Sequence, residues 1–521
     1  MSDATQSSSK RAMALALAAA LLGWMFDGLE MGLFPLVARP ALMELMGPDA
    51  ATNIGTWFSA IMAMFLVGAA CGGILFGWLG DRIGRVRAMV LSVATYAIFS
   101  GLCGFSAAPY QLAGLRFLAS LGMGGEWALG VALVMEIWPS NYRPFLAGII
   151  GAASNVGFLL IGLLGLGLAQ VIGDLGGVLA SVGMPSNWIE PLLANSGWRL
   201  LLFLGATPAI LALLIQAFVP ESEKWKHAAA TTPKNRVTDV FRGGLAKVTI
   251  LGSLLGAIAL LGTWGSVQWI PAWADKLVED TFKKTMGDAS ARSETLGKQA
   301  DALAADQRQG LAAWAEDLSR DFPTSDGRGR ASQAAESLRA AAQPADAMAA
   351  LAKMNDGLKQ GMPLAKAMAK SFAQIASGSG AIVGCILGAL FAQWTSRRVG
   401  YFVLCLTSLA ACAYLFRVPI PYGFGFLGLV TVVGGLSAAF YGWLPLYLPE
   451  LFPTRIRATG QGFSFNAGRV LAAVGTLGAG QLLNAFNEDY ARMCAVISLV
   501  YILGVVFIWF CPETKGKPLP E

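Results

Sequence analysis

Residues 53–79 and 198–219 run almost without charge. Each exceeds the ~18–20 apolar residues a helix needs to cross ~30 Å of hydrocarbon. Ten further runs share the pattern, and the predicted spans in order are about 12–37, 53–77, 86–107, 110–138, 144–171, 198–219, 247–271, 372–394, 401–416, 422–448, 458–486 and 491–511. The first run is too long for the apolar region of a signal peptide and carries Asp27 and Glu30, so a retained span is expected. Three breaks interrupt the series. Residues 172–197 are weakly polar around Trp188 and read as an interfacial connection. Residues 222–246 are polar and basic, with Lys234 and the lone histidine His227, and read as a cytoplasmic linker. Residues 272–371 are Ala-rich and charged, but Leu296, Leu303, Leu311, Trp314, Leu318 and Phe322 recur at helical spacing, as do Met348, Leu351, Met354 and Leu358. This insert is expected to be amphipathic helices outside the membrane, with a turn at 324–330.

The chain repeats itself. Glu136-Ile-Trp-Pro139-Ser-Asn-Tyr-Arg143 returns as Glu450-Leu-Phe-Pro453-Thr-Arg-Ile-Arg457. Before the first stands Gly80-Asp81-Arg82-Ile-Gly84-Arg85, and before the second Ser396-Arg397-Arg398-Val-Gly400-Tyr401. Pro220-Glu221-Ser222 and Pro512-Glu513-Thr514 close the two copies. Landmarks in one order at nearly one spacing imply a duplicated unit. The expected fold is therefore an all-α membrane protein of 12 transmembrane helices in two pseudo-symmetric six-helix halves, 12–221 and 247–514, joined by the linker 222–246. The insert 272–371 lies between spans seven and eight.

Composition agrees with the pattern. Of 521 residues, 55% are hydrophobic and 13% charged, too few charges to cover a soluble surface. The net charge of +6 would suit a nucleic-acid partner, but the basic residues sort by loop. Lys10, Arg11, Arg82, Arg85, Arg87, Lys234, Arg397, Arg398, Lys515 and Lys517 are among many on the side of the tails, against Arg39, Arg199, Arg417 and Arg492 opposite, outside the insert. That asymmetry puts both termini in the cytoplasm and the insert outside, and leaves no call on nucleic acid. The seven cysteines lie in or beside apolar runs and read as packing residues. No span carries a nucleophile–base set, and one cytoplasmic histidine excludes common metal sites, so neither an enzyme nor a cofactor or metal is expected.

Each ionisable group in hydrocarbon costs at least ~2.5–3.5 kcal/mol and so needs a reason. Asp27 and Glu30, three residues apart, share a helix face. Arg116 enters span four at a matching depth, which predicts one cluster of the three. One arginine beside two carboxylates leaves a negative charge uncompensated, a basis for proton coupling, the alternative being a permanently ionised structural network. Glu126, about 15 Å deeper than Arg116 along the same helix, reads as a second protonatable site or a buried polar contact. Arg469 in span eleven reads as an anion ligand or as the ion-pair partner of a first-half acid. Asn155, Gln268, Gln374, Tyr441, Trp443, Gln461 and Asn466 are candidates for the wall of a substrate cavity.

Gly77-Trp-Leu-Gly80-Asp81-Arg82-Ile-Gly84-Arg85-Val-Arg87 resembles the G-x-x-x-D-R-x-G-R-[KR] loop of the major facilitator superfamily. Pro220-Glu-Ser-Glu-Lys-Trp225 and Pro512-Glu-Thr-Lys-Gly516 resemble its sugar-porter closing motifs. Asp27-Gly-Leu-Glu30 is similar to the D-G-x-D of its aromatic-acid/proton symporters, and Gly-Met-Gly-Gly-Glu126 with Glu136-x-x-Pro139 fits that branch and its sialic-acid and nicotinate relatives. The sequence departs from the pattern where Glu30 replaces an Asp and where Arg397 stands in place of the acid. The resemblance covers nearly all the chain except 272–371. It implies a monomeric, proton-coupled symporter of a small organic acid in a bacterial inner membrane, working by alternating access, with lipid, protons and a small solute as its partners. It also implies that Asp81, Arg82, Arg85, Glu136, Arg143, Glu450 and Arg457 are elements of a cytoplasmic gate. A sugar or polyol symporter is the alternative, and a non-transporting sensor a further one.

Overall fold

The structure, a computed structural model, describes residues 2–47, 50–231, 236–298 and 301–520, so Lys234 lies outside the described residues, as does the side chain of Arg39. Among the described residues every regular element is a helix. The first are α1 (Ser2–Met46), α2 (Ala50–Ile83), α3 (Arg85–Cys103), α4 (Pro109–Ile137), α5 (Arg143–Ser181), α6 (Ser186–Leu204), α7 (Pro208–Phe218), α8 (Glu223–Thr231) and α9 (Leu245–Gly265). There follow α10 (Ile270–Gly297), α11 (Ala305–Asp321), α12 (Ser325–Ala340), α13 (Pro344–Trp394), α14 (Arg397–Arg417), α15 (Phe424–Ala438), α16 (Phe440–Leu451), α17 (Arg457–Ala485), α18 (Tyr490–Ile497) and α19 (Val500–Phe507). Eleven described stretches are long and apolar enough to cross a membrane. The 29-residue α17 fills the remaining place in the twelve-helix, two-half order, its face made polar by Gln461, Ser464, Asn466 and Arg469.

Local chemistry sets the breaks. Gly84 has φ 113, a positive-φ turn that lets α3 begin with this single residue between it and the end of α2. Pro208 starts α7, and its missing N–H divides the sixth expected span into α6 and α7. The connection at 172–197 is helical from both sides, α5 running to Ser181 and α6 starting at Ser186. Its Trp188 is exposed.

Two compact units are present. The larger comprises Met1–Trp269, Ile375–Val418 and Val430–Glu521. Within it α2 and α4 meet at Gly72 and Gly124, where an added Cβ would strike the backbone of Leu121 and of Ala69. In the same way α1 and α5 meet at Gly28 and Gly157, against the backbone of Ser154 and of Met25. Small residues let apolar helices approach closely where lipid supplies no hydrophobic drive. The contact of α1 with α5 holds Asp27 at the centre of the bundle.

The smaller unit comprises Ile270–Gln374 and Pro419–Leu429. Phe282 of α10 packs edge-on against Phe322, ring centroids 4.8 Å apart, over buried Val278, Ala289, Leu338, Leu351 and Leu358. The turn expected at 324–330 is the first part of α12 instead. Thr324 caps that helix, its hydroxyl accepting from the Gly327 N–H at 3.2 Å, and Arg330 pairs with Asp326 one turn earlier at 2.8 Å. The Gly and Asp that read as a turn are the residues of a capped first turn.

Candidate functional site

Charged residues gather at two depths of the larger unit. The first lies beside both chain ends, since the Trp138 indole donates to the Met13 carbonyl at 3.0 Å and Arg457 Nη2 to the Pro520 carbonyl at 2.7 Å. Its hub is Glu136, fully buried at the end of α4. Glu136 Oε1 pairs with Arg85 Nη2 at 3.0 Å and Arg457 Nη1 at 3.1 Å, while Oε2 accepts from the Ser222 hydroxyl at 2.7 Å. Asp81 pairs with Arg85 at 2.9 Å and caps α17, accepting from the Thr459 N–H at 2.7 Å and hydroxyl at 2.6 Å. A carboxylate at a helix N-terminus meets unpaired N–H groups and the positive end of the dipole. Arg85 also donates to the Thr454 carbonyl at 2.8 Å. Thus α2, α3 and α4 of the first half are tied to α17 of the second.

The second copy repeats these bonds. Arg397 pairs with Glu450 at 2.8 Å as Arg85 pairs with Glu136, and Thr514 bonds Glu450 at 2.5 Å as Ser222 bonds Glu136. Glu513 accepts from the N–H groups of Arg397 and Arg398 at 3.1 Å each, as Glu221 accepts from Arg85 at 3.0 Å and Val86 at 3.1 Å. By its bonds Arg397 is the counterpart of Arg85, not of Asp81, and the sequence register is displaced. Four residues before Arg397 stands the exposed Gln393, where the first copy has Asp81. Of the other residues expected at the gate, Arg82 is exposed and lies over the Trp78 ring, and Arg143 is half-buried with Glu450 as its charged neighbour. Trp443 belongs to this level rather than to a cavity wall, since its indole donates to the Arg397 carbonyl at 3.0 Å.

The second depth is mid-bundle. Arg116 is ion-paired with Glu30, whose Oε1 also accepts from the Ser100 hydroxyl at 2.7 Å. The Arg116 guanidinium lies 4.7 Å from the Phe65 ring and 5.2 Å from the Phe34 ring. Asp27 does not join this pair. Its charged neighbours are Glu126, Arg469 and Glu30. Asp27 is 0% exposed and Glu126 1%, and among the described residues their four carboxyl oxygens have no hydrogen-bond partner other than each other. The Glu126 carboxyl lies where a Cβ on Gly23 would stand, one turn from Asp27 on α1. The expected trio of Asp27, Glu30 and Arg116 is thus two groups, a closed pair and an open cluster of Asp27, Glu126 and Arg469.

Around the open cluster stand aromatic rings. Trp127 stacks on Phe465, centroids 4.1 Å apart at 17°, with Trp24 6.5 Å from Trp127 and 6.4 Å from Phe465. Tyr441 lies 6.4 Å from Phe465 and shares a 2.5 Å hydrogen bond with Thr263. Arg469 donates to Asn466 at 2.8 Å and lies 5.2 Å from the Phe465 ring. Gln461 donates to the Ala128 carbonyl at 2.5 Å, and Asn155 to the Gly151 carbonyl at 3.3 Å. Gln268 and Gln374 are half-buried, Gln374 in the smaller unit, and neither enters these bonds.

Trp24, Trp127, Phe465 and Tyr96, whose buried hydroxyl has Glu126 as a charged neighbour, were not apparent as site residues from the sequence. The duplication held a signal for one of them. Trp127 precedes Glu136 by 136 − 127 = 9 residues, and Tyr441 precedes Glu450 by 450 − 441 = 9. Likewise Asn155 follows Arg143 by 155 − 143 = 12, and Arg469 follows Arg457 by 469 − 457 = 12.

Comparison with known proteins adds the following. The family model of the Major Facilitator Superfamily matches residues 12–283, and that of Sugar (and other) transporter matches 401–521. A putative metabolite transport protein of Haemophilus influenzae is 23% identical over 516 residues, covering 97% of both chains. A probable 4-methylmuconolactone transporter of Cupriavidus pinatubonensis is 25% identical over 501 residues, covering 95% of this chain and 89% of its own. The solved proton:xylose symporter XylE superposes with a TM-score of 0.61 at 15% identity over 97% of both chains.

Proposed function

The chain belongs to the Major Facilitator Superfamily, and from that premise we propose that this multi-pass membrane transporter, which is not an enzyme, couples the entry of a small organic acid to that of a proton by alternating access. The observation that carries the reading is the cluster of Asp27, Glu126 and Arg469. Two buried carboxyls face each other, and Arg469 is the charged neighbour of one of them, Asp27. Two unpaired carboxylates in a water-excluded site repel each other, and a single proton between them relieves the repulsion. Arg469 then becomes available to an incoming carboxylate. A neutral solute gives a buried arginine no such role, so the sugar reading, supported by the match at 401–521, stands second. The names of relatives agree with an acid, since they include a cis,cis-muconate transport protein, a gentisate transporter and a gallate transporter.

The cycle follows from the two depths. The bonds of Asp81 and Glu136 to α17 hold the bundle closed at the side of the termini, which we assign to the cytoplasm. A proton and an acid anion arriving from the other side leave the charge of the central cluster unchanged, the proton held by the carboxyl pair and the carboxylate by Arg469. The two halves, 12–221 and 247–514, then rock about it and the terminal-side bonds part. Glu30 and Arg116 neutralise each other throughout and position α1 against α4.

The test is external pH in a weakly buffered, energy-depleted suspension of cells making the protein. Aromatic acids, nicotinate, sialic acid, hexoses and polyols are added singly, with vector-only cells as control. Protein-dependent alkalinisation by an acid is expected, and Asp27→Asn is expected to abolish uphill accumulation. Unchanged accumulation by that variant would sink the coupling assignment, and alkalinisation by hexoses alone would replace the acid with a sugar.

A further inference from the structure

The stacked rings of Trp127 and Phe465 have a property that proton coupling does not require. Trp127 is on α4 of the first half and Phe465 on α17 of the second, so the 4.1 Å stack joins the two moving bodies at the depth of the charged cluster. Both are almost fully buried, at 2% and 1% exposure. The indole N–H groups of Trp24 and Trp127 are also buried and lack an acceptor among the described residues. A buried donor without a partner is costly, and an oxygen supplied by a ligand would satisfy it. Finally, the Arg469 guanidinium lies 5.2 Å from the Phe465 ring. A carboxylate bound to Arg469 therefore brings whatever it carries next to Phe465.

We propose that Trp127 and Phe465 form a clamp between the halves that a planar, conjugated acid opens and occupies, its carboxylate on Arg469 and its flat body between the two rings. Flatness follows from geometry. Rings that stack on each other at van der Waals separation part to admit a slab one ring thick, and each then stacks on the slab with the same offset preference. A saturated ring of equal charge and similar volume is puckered and has no π face, so it parts the stack and gives nothing in return. The Trp24 and Trp127 N–H groups are the donors to the ligand's oxygens. Trp127 and Phe465 thus set specificity, and the stack joins substrate binding to the relative position of the halves. The proposal rests on Arg469 being the anion ligand, as assigned above.

The experiment uses the full-length protein in nanodiscs and matched pairs of acids: benzoate with cyclohexanecarboxylate, and sorbate with hexanoate. Binding is read by competition and calorimetry, and transport separately in proteoliposomes with an internal pH dye. At least one planar member is expected to bind tenfold or more tightly than its saturated partner. Phe465→Leu is expected to reduce that ratio to about one, and Phe465→Tyr, which keeps the ring, to preserve it. Trp127→Phe keeps the stack but removes the donor, so binding weakens about tenfold while the planar preference persists. Variants are compared at matched monodispersity and Tm. Equal affinity within every pair, no binding by any member, or a ratio unmoved by Phe465→Leu each overturns the clamp. The two readings separate cleanly, because acids moving with protons but without planar preference defeat the clamp alone, whereas planar acids binding without proton movement defeat the coupling alone.

Discussion

Asp27 and Glu30 are one turn apart on α1 and have different partners. The sequence made their shared face legible, since three residues of separation decides it, and it made Arg116 a partner by depth. It left open which carboxylate Arg116 takes, because depth along a helix says nothing of rotation about its axis. The structure gives Arg116 to Glu30, where Ser100 completes the pair. Removing one member of a buried ion pair leaves the other uncompensated, at about 3–5 kcal/mol. Arg116→Leu is therefore expected to lower Tm in detergent by many degrees, with Arg116→Leu/Glu30→Leu recovering most of the loss, and a double variant no more stable than the single would show that the pair is not the unit. At the end of α1, outside the apolar span, Glu44 gives a pH-dependent case. Burial alone would push its carboxyl up, but hydrogen bonds from Trp198 (2.7 Å), Asn195 (2.9 Å) and Arg199 (2.8 Å) outweigh that and hold it below the usual range. A carboxyl held low in the folded state stabilises above its unfolded value near ~4.3 and loses that contribution as pH falls through the folded value. Glu44→Gln is expected to lower Tm at pH 7 and to close the gap to the parent as pH falls through the acid range, as thermal scans across pH would register.

Helices were legible as elements because charge-free length has few other meanings, and their breaks less so. Pro208 divides a span that hydropathy reads as continuous, and Thr324 converts an apparent turn into a capped helix, because hydropathy is blind to both a missing N–H and a side-chain cap. Packing between elements was written in the glycines, though which glycine meets which helix could not be read without coordinates. Gly157 is the clearest case. A Cβ there would strike the Met25 carbonyl, the Leu29 N–H and Gly28, all backbone, whereas a Cβ on Gly114 meets nothing within 4 Å. Backbone cannot yield as a flexible side chain can, so Gly157→Ala must separate α1 from α5 and displace Asp27. Loss of both Tm and uptake is expected, against a near-neutral Gly114→Ala. Full uptake by Gly157→Ala would mean that Asp27 does not depend on that contact.

At the scale of the molecule the two copies are equivalent in bonds and unequal in reach. The pair of Arg397 and Glu450 lies within the second half, whereas Glu136 holds Arg85 of its own half and Arg457 of the other. Asp81 likewise caps α17 across the halves, and Gln393 stands exposed at the corresponding place. The duplication was plain in the sequence, but this inequality was not, because the gap between Arg397 and the true counterpart of Asp81 was read in the wrong register. Its consequence is measurable. Glu136→Gln leaves Arg85 its pair with Asp81 but strips Arg457, buried in the other half, of its carboxylate, a loss of about 3 kcal/mol at the low end for a broken buried pair. Borne by the closed state alone, 3 kcal/mol multiplies the open-to-closed ratio by roughly 160, so a state populated at about 1% would rise to about 60%. Glu450→Gln removes a bond internal to one half, which both states lose, and across the halves only the charge facing the half-buried Arg143, so the ratio moves far less. Spin labels at Tyr142 and Arg455, exposed positions on the terminal side of the two halves, in a background with the exposed Cys71 replaced by serine, would report the difference. A second, longer distance is expected with Glu136→Gln and not with Glu450→Gln, and equal behaviour of the two variants would mean that the terminal side is held closed by something other than the first copy's bonds.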